Sequence, residues 1–269
     1  MKAGIVIPSH QRPQGLVETI ESIWAVHRLP ICVVAKGYDR DFMEGVRQKY
    51  DVAVIVQDPS KRGPAAAVNQ GFDYFIGNGS LAPDVIFRID DDVRIHRGKA
   101  NLIQTYLNAM EANPTLGIVS AWNRALAWRQ RGQGLLARMT NPCQCVAFRV
   151  QALQEIGVFD EGLTSREDTD LTIRHFMAGW EVGVVTPEVT YDHVVPSMGT
   201  GSTLAEEKLS GREAENCETL ARRYPFVRVS PHPKNPALRR VSYLPNLVKS
   251  GVVPKEFKYN AFEVAQRSA

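Results

Sequence analysis

An apolar run, Asp84-Val85-Ile86-Phe87, leads straight into Arg88-Ile89-Asp90-Asp91-Asp92-Val93-Arg94-Ile95. Its β-branched residues read as a buried strand over 84–90. Three successive carboxylates at the strand's end repel one another, so a folded chain holds them best with a cation among them. Side chains alternate across a strand, which sends Asp90 and Asp92 one way and Asp91 the other. An Asp-x-Asp pair on one side can hold a divalent metal and leaves the middle carboxylate for another polar contact. The alternative is a solvated acidic turn that caps the next helix. Position favours the metal, because in alternating α/β chains ligands bind beyond the carboxyl ends of strands.

The flanking sequence alternates in that way. Ala3–Pro8, Ile31–Ala35 and Val52–Val56 read as three further buried strands. Pro13 suits the first turn of a helix carrying Leu16, Ile20, Ile23 and Trp24 at helical spacing. Asp39 can cap a helix running to Tyr50, and a third helix spans 64–76 with Phe72 and Phe75 towards its buried side. Without hairpin signals, this order predicts a parallel sheet with right-handed crossovers. The second half is less regular. It predicts helices over 100–111, 168–178 and 204–224, and strands over 117–122, 143–150 and 182–185. A further strand is expected before Tyr191-Asp192-His193. Residues 124–140, with several Arg and Trp128, read as a mobile loop, and Gly199–Ser202 as a Gly/Ser-rich one.

At 269 residues the chain suits one large α/β domain, or one domain plus an appendage. No apolar run reaches transmembrane length, and the N-terminus enters a strand without a signal-peptide pattern, so a cytoplasmic protein is expected. The spacing of Cys32, Cys143, Cys145 and Cys217 matches no zinc site. The first strand is followed by neither Gly-x-Gly-x-x-Gly nor a P-loop, which argues against a dinucleotide site.

What stands in those places is a series: Pro8-Ser9-His10-Gln11-Arg12, then Asp58, then Gly63-Pro64-Ala65-Ala66-Ala67-Val68-Asn69-Gln70-Gly71, then Asp90-Asp91-Asp92. Arg166-Glu167-Asp168-Thr169-Asp170-Leu171 and His193 follow. In order and spacing this series, over roughly residues 3–203, resembles the GT-A glycosyltransferases, especially the family-2-like group. The resemblance implies a Rossmann-like nucleotide-diphospho-sugar transferase sheet over 1–205, with a basic extension over 206–269 packed on it. It implies a nucleotide-sugar donor, most simply a UDP-sugar, contacted by Pro8, Ser9, His10, Arg12, Asp58, Gly63, Asn69, Asp90 and Asp91. It also implies Mn²⁺ or Mg²⁺ held by Asp92, Asp90 and His193, and a catalytic base in Glu167-Asp168. The segment departs from the family in carrying His10 and Gln11 where Tyr and Asn are usual.

The chemistry of the residues agrees. A cation at Asp92, with Asp90, would stabilise charge on a diphosphate leaving group. Asp168 suits a general base at a helix start, where Glu167 and Asp170 lie close enough to raise its pKa through like charge. Taken alone, Glu167-Asp168 also fits a helix cap, His193 a structural histidine, and Asn69 a hydrogen bond within its own helix.

The tail is basic. From Arg222 to Lys258 there are nine Lys or Arg, among them Arg222, Arg223, Arg239 and Arg240, against one acidic residue, Glu256. Tyr224, Phe226, Tyr243 and Phe257 interleave with them. Such a stretch fits a solvated face, nucleic acid, an anionic membrane surface or an acidic glycan, and the lack of an amphipathic helix with a clean apolar face lowers the membrane reading. Gly211–Asn216 and Arg222-Arg223-Tyr224-Pro225 are similar to tails of phage-type glycosyltransferases that act on hydroxymethylated pyrimidines in DNA. This resemblance implies a DNA acceptor in a host cytoplasm, with Trp122, Trp128 and Arg129 as further acceptor contacts. The other acceptors are a cell-surface glycan or a lipid-linked sugar. A nucleotidyltransferase and a non-catalytic nucleotide-sugar or DNA-binding module are the competing classes. A nucleotidyltransferase would usually carry a Gly-rich basic loop after strand one, which this chain lacks.

Overall fold

The computed structural model describes residues 1–61, 63–96, 101–121, 136–137, 144–185, 191–194, 212–232 and 235–242. The first half runs β1 (Ala3–His10), α1 (Pro13–Trp24), β2 (Ile31–Lys36), α2 (Arg40–Tyr50), β3 (Ala53–Val56), α3 (Gly63–Gly77), β4 (Val85–Ile89) and β5 (Val93–Ile95). The second half adds α4 (Leu102–Ala112), β6 (Leu116–Ala121), β7 (Leu136–Ala137), β8 (Cys145–Arg149), α5 (Val150–Ile156), α6 (Glu167–Met177), β9 (Glu181–Val185) and β10 (Tyr191–His193). It closes with α7 (Arg212–Arg223), β11 (Arg228–His232) and β12 (Asn235–Ser242). Asp39 caps α2 as expected, its Oδ1 accepting from the amides of Asp41 at 2.7 Å and Phe42 at 3.3 Å.

Eight strands form the central sheet in the order β3-β2-β1-β4-β8-β6-β9-β7. The first four are parallel, as the alternating sequence predicts. The second half corrects that expectation: β8 is antiparallel to both β4 and β6, and β7 to β9. A strand buried on both faces shows the same apolar run in either direction, so its polarity is invisible in sequence. Three further corrections concern elements. Val150–Ile156 is a helix, Tyr191–His193 is itself a strand paired with β5, and β11 with β12 makes an antiparallel pair in the tail. The expected loop at 124–140 lies outside the described residues except for the strand Leu136–Ala137. Among the described residues no helix is long and apolar enough to cross a membrane.

The period-two alternation of the strands divides the core into two layers. Ile5, Ile7, Val33, Phe87 and Ile89 face α1, α2 and α4. Val6, Cys32, Val34, Ile86 and Phe148 face α3, α6 and α7. In the second layer Phe72 of α3 lies 5.5 Å from the ring of Phe148 and 6.0 Å from that of Phe159. Leu220, Tyr224 and Val227 complete it, so α7 is built into the core. Helix α3 approaches β1 closely at Gly71, where a Cβ would stand 2.3 Å from Val6 Cγ1.

Candidate active site

Four chain segments meet at the carboxyl ends of β1, β2 and β4. β1 is in register with β2 through His10 and Lys36, but its ladder to β4 ends at Val6 and Arg88. The amides of Ile5 and Gln11 bond to the β2 side, at Pro30 O and Lys36 O. Pro8, of the same parity as Val6, therefore has its missing donor on the β4 side, where β4 has ended. Beyond β4 the backbone does not stay extended. The amide of Val93 bonds to Asp90 O at 3.1 Å, a turn over the acidic triplet.

That turn overrides the expected strand alternation. Asp91 and Asp92 converge on one cation: Arg12 Nη1 donates to Asp91 Oδ1 at 3.2 Å and to Asp92 Oδ2 at 2.7 Å. Asp91 also accepts from Ser9 Oγ at 2.7 Å and from the amide of His10 at 3.4 Å. Helix α1 comes so close here that a Cβ on Gly15 would lie 2.8 Å from Asp91 O. Asp90 faces the other layer, where Arg88 Nε donates to it at 2.9 Å. His193, brought by β10 opposite Val93, sets Nε2 3.3 Å from Asp92 Oδ2.

The electrostatics follow from these partners. Burial, reinforced by the neighbouring carboxylates and opposed by Arg88, pushes the Asp90 carboxyl up to about 6. Burial also raises Asp91. Asp92 is half-buried, but His193 and Arg12 together hold it below the usual range, and in return its hydrogen bond raises His193.

The second acidic group sits at the start of α6. Glu167 is buried, and its Oε1 lies 3.8 Å from Arg88 Nη1. One arginine of β4 thus stands between the acidic turn and the helix start. Asp168 is half-buried and accepts from its neighbour's amide, Thr169 N, at 2.7 Å. Burial pushes both carboxyls up, and for Glu167 the adjacent Asp168 adds to the shift. Asp170 is not the cause expected from sequence. It is fully buried, paired with Arg174 at 2.8 Å and Arg223 at 2.6 Å, and accepts from the Tyr224 hydroxyl at 2.7 Å.

The structure places the remaining expected residues unevenly. Asn69 is buried away from the mouth. Its Nδ2 donates to Phe159 O at 2.9 Å and Glu161 Oε1 at 3.1 Å, and its Oδ1 accepts from Phe159 N at 3.1 Å. These bonds tie α3 to the segment before α6. Asp58 closes a local turn with Ser60, whose amide and hydroxyl donate to it at 2.8 and 2.6 Å, and Gly63 opens α3 with φ of 82°. Arg223, although exposed, pairs with Asp160 and Asp170 within the fold. Arg222 is exposed. Trp122, Trp128 and Arg129 and the side chains of Arg239 and Arg240 lie outside the described residues.

Sequence reasoning missed two residues. Tyr38 accepts from the Arg12 amide at 2.8 Å and hydrogen-bonds Ser9 Oγ at 2.5 Å, locking the two residues whose side chains hold Asp91. Arg88 was legible: a charge inside an apolar strand, two residues before an Asp on the same face, signals a buried pair.

A divalent cation fits this site in a limited way. Among the described residues no group of three or more His, Cys, Asp or Glu side chains is arranged to hold a metal. Asp90, expected as a ligand, is held by Arg88. Asp92 Oδ1, however, is buried with no hydrogen-bond partner among the described residues, while the other oxygen faces His193. A buried orphan carboxylate oxygen beside an imidazole is a suitable two-residue donor set whose other positions a ligand would fill.

Comparison with known proteins places this geometry. No curated protein sequence matches the chain significantly. Solved structures match across most of it. A mannosyltransferase from Pyrobaculum calidifontis, in complex with GDP-Man and Mn²⁺, superposes with a TM-score of 0.61 at 17% identity, covering 98% of this chain and 73% of that one. GalNAc-T7 with UDP, GalNAc and Mn²⁺ gives 0.61 at 13% identity, over 99% of this chain and 57% of that one. Glucosyl-3-phosphoglycerate synthase from Mycobacterium tuberculosis gives 0.56 at 14%, over 90% and 87%. These likenesses show a GT-A fold. The model of glycosyl transferase family 2 matches residues 4–156, more than half of the chain. The turn that brings Asp91 and Asp92 onto Arg12 lies inside that match, and the chain belongs to glycosyl transferase family 2.

Proposed function

We propose that the protein transfers a sugar from a nucleoside-diphosphate sugar, with a UDP-sugar as the first donor to test, to a hydroxyl acceptor, using Mn²⁺ or Mg²⁺. The observation that carries this is the orphan Oδ1 of Asp92 beside His193, at the strand ends where α/β sheets bind ligands. Asp92 and His193 would hold the cation. When bound, it supplies positive charge against the leaving diphosphate.

The chain's own residues supply the rest. Ser9, Tyr38 and Arg12 fix Asp91 at the mouth, where it can accept from donor hydroxyls. Asp168 reaches solvent and serves as the base, while Glu167 stands behind it against Arg88. The acceptor oxygen attacks the anomeric carbon, its proton passes to Asp168, and the bond to the diphosphate breaks. Burial keeps both carboxyls basic enough for this task.

For the acceptor, a hydroxymethylated pyrimidine in DNA is the reading to test first. It is supported by the basic composition of 222–258, of which Arg222 and Arg228 are exposed. A panel of nucleotide sugars with Mn²⁺, scored for nucleotide release with and without hydroxymethylated oligonucleotides, tests both halves. Undiminished release in EDTA overturns the metal. DNA binding that is absent or insensitive to salt, together with unmodified oligonucleotides, overturns the DNA acceptor and leaves a glycan or lipid-linked acceptor.

A further inference from the structure

The turn carrying Glu167 and Asp168 is held from outside the family match, which ends at residue 156. Contacts from α7 and the residue after it reach both sides of this pair. On one side, Arg166 Nη2 meets Glu213 Oε1 at 2.6 Å. Asn216 Nδ2 donates to Ser165 Oγ at 3.0 Å and to Thr164 Oγ1 at 3.2 Å. On the other side, Arg223 meets Asp170 Oδ1 at 2.6 Å and Asp160 Oδ2 at 2.7 Å, and the Tyr224 hydroxyl donates to Asp170 Oδ1 at 2.7 Å.

Two features show that the turn needs holding. Arg166, the residue just before Glu167, has φ of 68°, a left-handed conformation that a non-glycine residue keeps only where its surroundings over-determine it. No side chain of its own caps α6 there. Asp170 is a fully buried carboxylate in the first turn of α6, and two of its three partners come from the chain around α7.

We infer that α7 is the positioning element of this turn: Glu213 through Arg166, and Arg223 with Tyr224 through Asp170, set where Glu167 and Asp168 stand relative to Arg88. The inference rests on reading Glu167 and Asp168 as the base of the transfer. None of the α7 residues touches the reacting atoms. They act through residues 160–170, as a frame acts on the part it holds.

The test compares wild type with Glu213→Gln, Tyr224→Phe, Arg223→Ala and Arg223→Lys. Hydrogen exchange is read over 160–170 and, as an internal control, over β1 and α3. The kcat and donor KM are measured alongside. Expected is exchange over 160–170 faster by about tenfold in Glu213→Gln and Tyr224→Phe with β1 and α3 unchanged. The kcat should fall by about tenfold with donor KM nearly constant, since displaced catalytic groups cost turnover and not donor binding. Arg223→Lys, which keeps the charge, should recover part of what Arg223→Ala loses.

Unchanged exchange over 160–170 overturns the inference. So does a loss spread evenly over the chain, a local loosening with unchanged kcat, or a fall in activity carried wholly by donor KM. If Arg223→Ala does not fold, Tyr224→Phe, which deletes a single hydroxyl, decides. A wild type that transfers no sugar from any donor removes the functional reading. The exchange measurement still decides whether α7 holds the turn.

Discussion

Two acidic centres among the described residues are finished differently. Asp170 has no exposed surface, and both oxygens are occupied, by Arg174 on one side and by Arg223 and Tyr224 on the other. The centre built from Asp90, Asp91, Asp92, Glu167 and Asp168 has five carboxylates, with Arg12, Arg88 and His193 as the basic groups the described contacts bring to it. It leaves Asp92 Oδ1 buried without a partner among the described residues. A buried carboxylate with all its partners is a structural strut. One left incomplete is a place where a ligand completes the set.

The comparison can be broken, most severely at the incomplete centre. Asp92→Asn should abolish metal-dependent nucleotide release while circular dichroism shows the fold retained. Full activity in that variant would put Asp92 among the struts. Asp168→Asn should lower turnover by about 10²–10⁴-fold with donor affinity kept, the range for a lost general base. Unchanged turnover would move the role to Glu167.

At the finished centre the effect should appear in stability. Asp170→Asn removes the charge shared by two arginines, replaces one acceptor oxygen with a donor, and should cost about 3–5 kcal/mol in urea unfolding, as breaking a buried ion pair does. A loss under 1 kcal/mol would show that the network is not a strut.

The incomplete centre also carries a pH response. Glu167 has a folded-state pKa raised above its ordinary 4.5 by burial and by Asp168. The folded state then holds a proton that the unfolded state has released, so this group's contribution is complete below 4.5 and declines as pH rises. Glu167→Gln should therefore flatten the loss of stability between pH 5 and pH 8, even as it impairs turnover. Parallel urea midpoints for both proteins at the two pH values check this, and identical pH slopes would refute it. The smallest effect belongs to Arg222, exposed beside the committed Arg223. Arg222→Ala should change stability by less than about 0.5 kcal/mol, an ordinary surface value.

The sequence by itself determined the first half of the fold and the outline of the site. Alternating apolar runs and helical spacing located β1 to β4 and α1 to α3, because a buried strand or an amphipathic helix is a local pattern. The acidic triplet, the Ser9-to-Arg12 segment and Glu167-Asp168 could be picked out because clustered charge beside an apolar run needs a reason. Only the tertiary structure decided the rest. Strand polarity at β8 depends on which neighbour it meets, and the turn over Asp90–Val93 replaced alternation with convergence on Arg12. Asn69 and Arg223, read as ligand contacts, are bound to Phe159, Glu161, Asp160 and Asp170 across more than fifty residues of chain. Whether a polar side chain is a strut or a site depends on which distant groups fold against it, and no local spacing records that.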